Sequence, residues 1–252
     1  MAQTPIRSPF IPDYPQDPQT GVGRIEAGRT EVGRTEAGRP EVGRAEASPP
    51  EKARLEVPSR EAIEVLDPFP AIDLRRIRLV VDREDVDSAY AALAAQAHVG
   101  FDTESKPTFT RGERSEGPHV LQFATLEHAY VFQLHVASAQ AAVAALLEST
   151  AVTKVGFGLD SDKTQIRARL DVEPRAVLDL DAVFRERGYR KSVGLKSAVA
   201  IVFNQRFSKS KRIGTSNWST RQLNERQLLY AANDAYAAIH VFAALGRCDR
   251  IG

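Results

Sequence analysis

The sequence predicts an α/β fold, a mixed sheet flanked by helices, preceded by an N-terminal tail with no core of its own. Three observations carry this. After about residue 59, short apolar runs are interspersed with stretches of helical periodicity. Three early runs, from Val99 to Leu134, follow one another without an intervening helix, whereas two later ones are each entered through a helix. Before residue 59 neither periodicity holds, and nine of the chain's 14 Pro residues fall there.

Residues 1–58 form the tail and 59–252 one domain. The tail carries a five-residue repeat that runs from Arg24-Ile25-Glu26-Ala27-Gly28 to Arg39-Pro40-Glu41-Val42-Gly43. Gly in every fifth position fits neither a helix period of about 3.6 nor a strand period of about two, and almost no large apolar side chain is present to bury. The tail is therefore expected to be disordered. Each repeat sets an Arg against a Glu, so the positive charge needed to attract phosphate largely cancels, and a linker or solubilising role fits better than a nucleic-acid arm. No continuous apolar segment of a secretory signal is seen, and several Glu residues argue against a mitochondrial transit peptide.

The remaining stretch of about 190 residues suits one well-packed domain. Its apolar runs predict strands at Ile77–Val81, Val99–Asp102, Val120–Ala124, Tyr130–Leu134, Thr153–Phe157 and Ala176–Asp179. Helical patterns fall at Asp85–Ala97, Ala139–Leu147, Ser161–Leu170, Asp181–Arg187, Leu195–Phe203 and Glu225–Leu245. In the last of these, Leu228, Leu229, Ala231, Ala232, Ala235, Ile239 and Phe242 supply the apolar positions. The strands from Val99 to Leu134 are expected to be antiparallel, and those at Thr153 and Ala176 parallel.

Chemistry concentrates in three segments. Asp102-Thr103-Glu104 directly follows the apolar run Val99-Gly100-Phe101, and a strand sends residues i and i+2 to the same side, so two carboxylates would project together. Like charges held that close need a cation, although two acids at a strand end are also an ordinary solvated arrangement. Tyr230 and Asp234, four apart on the predicted last helix, would share a face. A packed tyrosine and a solvated acid would look the same, yet an acid among so many Ala and Leu residues is costly to bury without a partner. Between them, Asp160, Ser161 and Asp162 open a predicted helix, and capping alone accounts for all three.

The order of the segments is more specific than any of them. Phe101-Asp102-Thr103-Glu104, then Val155-Gly156-Phe157-Gly158-Leu159-Asp160-Ser161-Asp162, then Leu229-Tyr230-Ala231-Ala232-Asn233-Asp234-Ala235-Tyr236, together with Ser216-Asn217-Trp218-Ser219, resemble the DEDDy 3′-5′ exonucleases. That group includes ribonuclease D and the exonuclease domain of the Werner syndrome protein, and the resemblance is closest to the Werner-type branch. It runs from about Ile77 to Leu245. Gly156 and Gly158 stand where many ribonuclease D relatives have a polar residue in the turn, which leaves Asp160 as well as Asp162 open as the middle acid.

The resemblance implies a ribonuclease H-like fold and hydrolysis of a terminal phosphodiester of single-stranded or 3′-recessed DNA or RNA, releasing nucleoside monophosphates. It implies two divalent ions, Mg²⁺ or Mn²⁺, since all-oxygen ligands favour these over zinc. Asp102 would bridge both ions, Glu104 and Asp234 would complete the shell of the ion that holds the attacking water, and Asp162 would support the other. Tyr230 would orient the water without binding metal, a phenol being a poor ligand at neutral pH. The five histidines, His98, His119, His128, His135 and His240, have no metal-ligand spacing and are expected to be structural or at the surface.

A bound strand needs phosphate contacts and stacking surfaces, and two segments offer them. One carries Lys106, Phe109 and Arg111, the other Lys209, Lys211 and Arg212 shortly before Trp218. Ordinary solvated loops would have the same composition, because the chain's charges nearly balance at a net +1, and Trp218 serves equally well as a core anchor. The single Cys248 excludes an intramolecular disulfide and fits a reducing, cytoplasmic compartment. No stretch approaches the roughly twenty apolar residues of a membrane span, so no membrane partner is expected. The chain stops soon after the last predicted helix, so any accessory domain is expected to act in trans. A nucleic-acid-binding or scaffolding protein that kept the fold without turnover would show a broken acid set, whereas Asp102, Glu104, Asp162, Tyr230 and Asp234 are all present.

Overall fold

The apolar runs pair into a single sheet. In a computed structural model, which describes residues 55–246 apart from 109–111 and 114, the strands are β1 Ile77–Val80, β2 His98–Glu104, β3 Val120–Ala124, β4 Ala129–Gln133, β5 Thr153–Gly156 and β6 Val177–Asp179. Their order across the sheet is β1-β4-β3-β2-β5-β6. β2, β3 and β4 form an antiparallel meander, and β5 and β6 add in parallel on the other side of β2. β1 lies parallel to β4 at the edge. This is the mixed arrangement that the run spacing predicts.

The helices are α1 Arg60–Glu64, α2 Arg83–Ala94, α3 Ala137–Glu148, α4 Asp160–Leu170, α5 Leu180–Glu186, α6 Leu195–Phe203, α7 Lys211–Gly214 and α8 Glu225–Ala244. Two of them, α1 and α7, and a 3₁₀ turn at Leu74–Arg76 are absent from the sequence expectation, since a helix of four or five residues has too few turns to show a period. α1 is started locally, by the Ser59 side chain accepting from the Ala62 backbone N–H. α2 ends at Ala94 rather than Ala97, because the chain must turn there to enter β2 at His98.

Strand alternation builds a core on each face of the sheet. Phe101, Phe123 and Phe132 pack with Leu93 of α2, Val143 and Leu146 of α3 and Ile166 of α4. On the opposite face Val120, Val131 and Val155 meet Phe184 of α5, Val199 of α6 and Ala231, Ala235 and Phe242 of α8. Leu55 and Val57, which the sequence places in the tail, pack against this second core, and Leu55 bridges to Tyr189. The remaining tail, residues 1–54 with their repeats, lies outside the described residues. Among the described residues no helix is long and apolar enough to cross a membrane.

One ionisable side chain lies deep in this frame. Lys154 of β5 is fully buried, and its Nζ donates to the carbonyl oxygens of Ser149 at 2.7 Å and Val152 at 2.9 Å, just beyond the C-terminus of α3. Burial lowers its pKa from 10.5 to about 8. The unfolded chain therefore holds this proton more tightly between those values, so Lys154 detracts from stability below pH 8 and progressively less as the pH rises to 10.5. Chemical denaturation of the protein and of Lys154→Met across this range should show the difference in unfolding free energy moving in favour of the lysine by up to about 3 kcal/mol. A constant difference would show that the ammonium is well solvated.

Candidate active site

The site is built where β2 meets α8. β2 continues two residues beyond the predicted end at Asp102, because Thr103 and Glu104 still pair with Leu121 and Val120 of β3. Asp102 and Glu104 thus hang from a rigid ladder, on the side of the strand that α8 covers. Gly100 sets the distance between strand and helix: a Cβ on it would stand 1.9 Å from the Ala235 carbonyl oxygen, so only glycine lets α8 come this close. Asp234 directly precedes Ala235, and the same close approach brings it against the two strand acids. One carboxylate oxygen from each of Asp102, Glu104 and Asp234 lies within 4.8 Å of the others.

Burial and mutual repulsion make this cluster reluctant to ionise. The Asp102 carboxyl is held well above the usual carboxylate range, first by burial and then by Asp234. Glu104 is pushed up to about 9 by burial and by Asp102. Asp234 is also raised by burial, an effect opposed by Lys209, whose Nζ stands 2.6 Å from Asp234 Oδ2. Three crowded acids whose ionisation a cation would favour, offering only oxygen donors with neither His nor Cys among them, fit a hard divalent cation of the Mg²⁺ or Mn²⁺ type.

Asp162 enters from α4. Its Oδ1 accepts from the Thr103 hydroxyl and its Oδ2 from Ser161 Oγ at 3.3 Å, while Asp160 points outward to Lys163 at 2.7 Å with its side chain 92 % exposed. Of the two middle acids left open by the sequence, Asp162 is the one turned toward β2. It is raised by burial and lowered in part by the Thr103 bond. The strand period that aims Asp102 and Glu104 together sends Thr103 to the opposite face, toward α4, a link available in the sequence but not drawn from it. Thr103→Val, which keeps shape and removes the hydroxyl, should lower turnover by about ten- to hundredfold with an unchanged melting temperature, as loss of a hydrogen bond to a ligating carboxylate does. Steady-state kinetics beside a thermal melt would check this; wild-type turnover would show that Thr103 does not position Asp162.

Tyr230 lies one helical turn before Asp234 on α8, with its hydroxyl over Gly214, where a Cβ would stand 2.5 Å from that oxygen. Lys209 Nζ sits 5.2 Å from its ring centroid. Burial raises the phenol pKa, so the hydroxyl remains a donor at neutral pH.

The Ser216-Asn217-Trp218-Ser219 segment is a clamp for this arrangement. Trp218 is fully buried, its indole N–H donating to the Gly214 carbonyl at 3.1 Å and its ring 5.9 Å from that of Tyr230. Gln227 joins the segment to α8: it completes a capping box with Asn224 and donates to Ser216 Oγ at 3.0 Å and the Asn217 carbonyl at 3.2 Å. Trp218, offered by the sequence as a stacking surface, is therefore a core anchor with no face open to a base. Of the other candidate nucleic-acid contacts, Lys106, Lys211 and Arg212 are exposed, Lys209 is engaged with Asp234, and Phe109 and Arg111 lie outside the described residues.

A six-stranded mixed sheet between two helical layers, with acids gathered at the end of its β2 strand, defines a ribonuclease H-like fold carrying a candidate metal-dependent site. Residues 77–248, more than half of the chain, match the sequence model described as 3′-5′ exonuclease, and the chain belongs to that family. It is 32% identical over 152 residues to the mouse bifunctional 3′-5′ exonuclease/ATP-dependent helicase WRN, covering 59% of this chain and 11% of that protein. Over 205 residues it is 31% identical to the human exonuclease mut-7 homolog, covering 70% of this chain and 23% of the relative. The chain thus spans only a minor part of both. Among solved structures, the Aedes aegypti Nibbler EXO domain superposes with a TM-score of 0.61 at 24% identity, covering 71% of this chain and 92% of that one. Escherichia coli RNase D, an exoribonuclease involved in structured RNA processing, gives 0.59 at 21%, covering 69% and 45%. A Trypanosoma brucei RNase D complex with RNA U12 gives 0.60 at 19%, covering 67% and 62%. At these identities the structures establish the fold.

Proposed function

We propose that the protein is a metal-dependent 3′-5′ exonuclease that removes nucleoside monophosphates from single-stranded or 3′-recessed DNA or RNA. The observation that carries this reading is the convergence of Asp102, Glu104 and Asp234, with one oxygen of each within 4.8 Å of the others on a rigid strand and helix. Asp102, Glu104 and Asp234 would hold one Mg²⁺ or Mn²⁺, and Asp102 with Asp162 a second. Such a pair of ions, when bound, lowers the pKa of water and stabilises charge on the attacking and leaving oxygens of an in-line displacement.

The protein's own groups supply the rest. The Tyr230 hydroxyl, kept protonated by burial, donates a hydrogen bond that orients the attacking water. Thr103 fixes Asp162 against β2, and Gly100 holds α8 at the separation the acids need. Water gives up a proton as its oxygen bonds to the phosphorus of the terminal phosphodiester, and the bond to the 3′ oxygen of the penultimate nucleotide breaks, that oxygen taking up a proton from solvent to leave a 3′-hydroxyl and a nucleoside 5′-monophosphate. Lys106, Lys211 and Arg212, exposed on the loop after β2 and on α7, are the proposed phosphate contacts.

Oligonucleotides labelled at the 3′ or the 5′ end, as single-stranded DNA, single-stranded RNA and 3′-recessed duplexes, test the reading with Mg²⁺, Mn²⁺ or EDTA. Metal-dependent shortening from the 3′ end is the expected result, and relative rates rank the two sugars. No cleavage with either metal would leave a nucleic-acid-binding or scaffolding protein.

A further inference from the structure

The acid cluster already contains a cation. Lys209 reaches it from the irregular segment between the buried Phe207 and α7, with its own side chain 34% exposed while that of Asp234 is 2% exposed. The ammonium stands 2.6 Å from Asp234 Oδ2 and 5.2 Å from the centroid of the Tyr230 ring, within the cluster that Asp234 forms with Asp102 and Glu104. The stem therefore spans from solvent to a nearly closed carboxylate.

We propose that Lys209 is a built-in counter-ion of this site, holding the acids together in the metal-free protein and giving up Asp234 when a divalent cation enters. This inference rests on the metal-site reading above. The physical argument is competition for one oxygen. Mg²⁺ binds carboxylate oxygens at roughly 2.0–2.1 Å, so an ammonium still in contact with the same carboxylate would face a doubly charged ion across a few ångströms of poorly solvated space. Either the ion binds more weakly or the lysine leaves. A lysine serving only as a phosphate contact would sit at the protein surface without an acid partner of its own.

The test is calorimetric titration of Mn²⁺ into the full-length protein without nucleic acid, comparing wild type with Lys209→Met, Lys191→Met and Asp102→Ala. Lys209→Met should bind Mn²⁺ about tenfold more tightly than wild type, and its melting temperature in EDTA should be lower with a larger rise on adding Mn²⁺. Lys191→Met removes the same charge at an exposed position with no part in the site and should bind as wild type does, which separates a local displacement from a change in net charge. Lys209→Gln repeats the comparison should the Met variant fail to fold. Equal or weaker Mn²⁺ binding by the folded Lys209 variants would overturn the counter-ion role, while the metal-site reading would stand as long as Asp102→Ala loses binding. If neither wild type nor the Lys209 variants bind Mn²⁺, or Asp102→Ala binds it as well as wild type does, the metal-site reading and this inference fall together.

Discussion

Asp102→Ala should lose 3′-end hydrolysis by at least about a thousandfold, on the order of 4 kcal/mol of transition-state stabilisation, while the fold remains intact. Asp102 shares the strand face with Glu104, contributes to the three-acid cluster with Asp234, and has its own Oδ1 held by the Thr103 backbone N–H at 3.0 Å. The same substitution should not weaken the metal-free protein. Its carboxyl is raised by burial and by Asp234, and it helps push Glu104 up to about 9. Raised acids favour the folded state at low pH and lose that advantage as the pH climbs through their folded values. Melting curves in EDTA should therefore show wild type falling in stability from the ordinary carboxylate range towards pH 9, and Asp102→Ala falling less. A variant that keeps its activity would remove the carboxylate from the mechanism, and one that melts far below wild type in EDTA would show that Asp102 is structural.

Gly100→Ala is expected to damage stability and activity together. The added methyl would collide with backbone, the Ala235 carbonyl, and would also press on Ile239 Cβ at 3.2 Å. No side chain can rotate away from such a clash, so α8 must shift relative to β2, at a loss of about 3 kcal/mol or more. Because Asp234 precedes Ala235 and Tyr230 lies one turn earlier, the shift moves both away from Asp102 and Glu104. Denaturant unfolding should report the loss, and turnover should remain depressed even where the variant is fully folded. Wild-type stability would mean that the helix and strand can separate freely at this point.

These two positions show how unevenly the site is legible in the chain. The acid pair Asp102 and Glu104 and the pair Tyr230 and Asp234 can be read directly, since strand and helix periods place them on common faces. The choice of Asp162 over Asp160 could not be made from capping preferences, because both suit the first turn of α4; it is made by Thr103, across 59 residues of chain. Trp218 shows the opposite failure. Composition beside basic residues suggests stacking, but the burial that makes it an anchor comes from α8 and the Gly214 carbonyl.

What the sequence determined by itself is therefore what depends on neighbours in the chain: the six strands, the six longer helices, the meander of β2 to β4, and the acids placed on shared faces. The tertiary structure alone decided what depends on distant backbone. It set how closely Gly100 admits α8, where Lys209 inserts its charge, how Leu55 and Val57 join the core, and how far β2 continues through its pairing with β3. The physical reason is range. Periodicity and capping act over a few residues and leave a local pattern, whereas close approach, burial and ion pairing are settled only once remote segments share the same space.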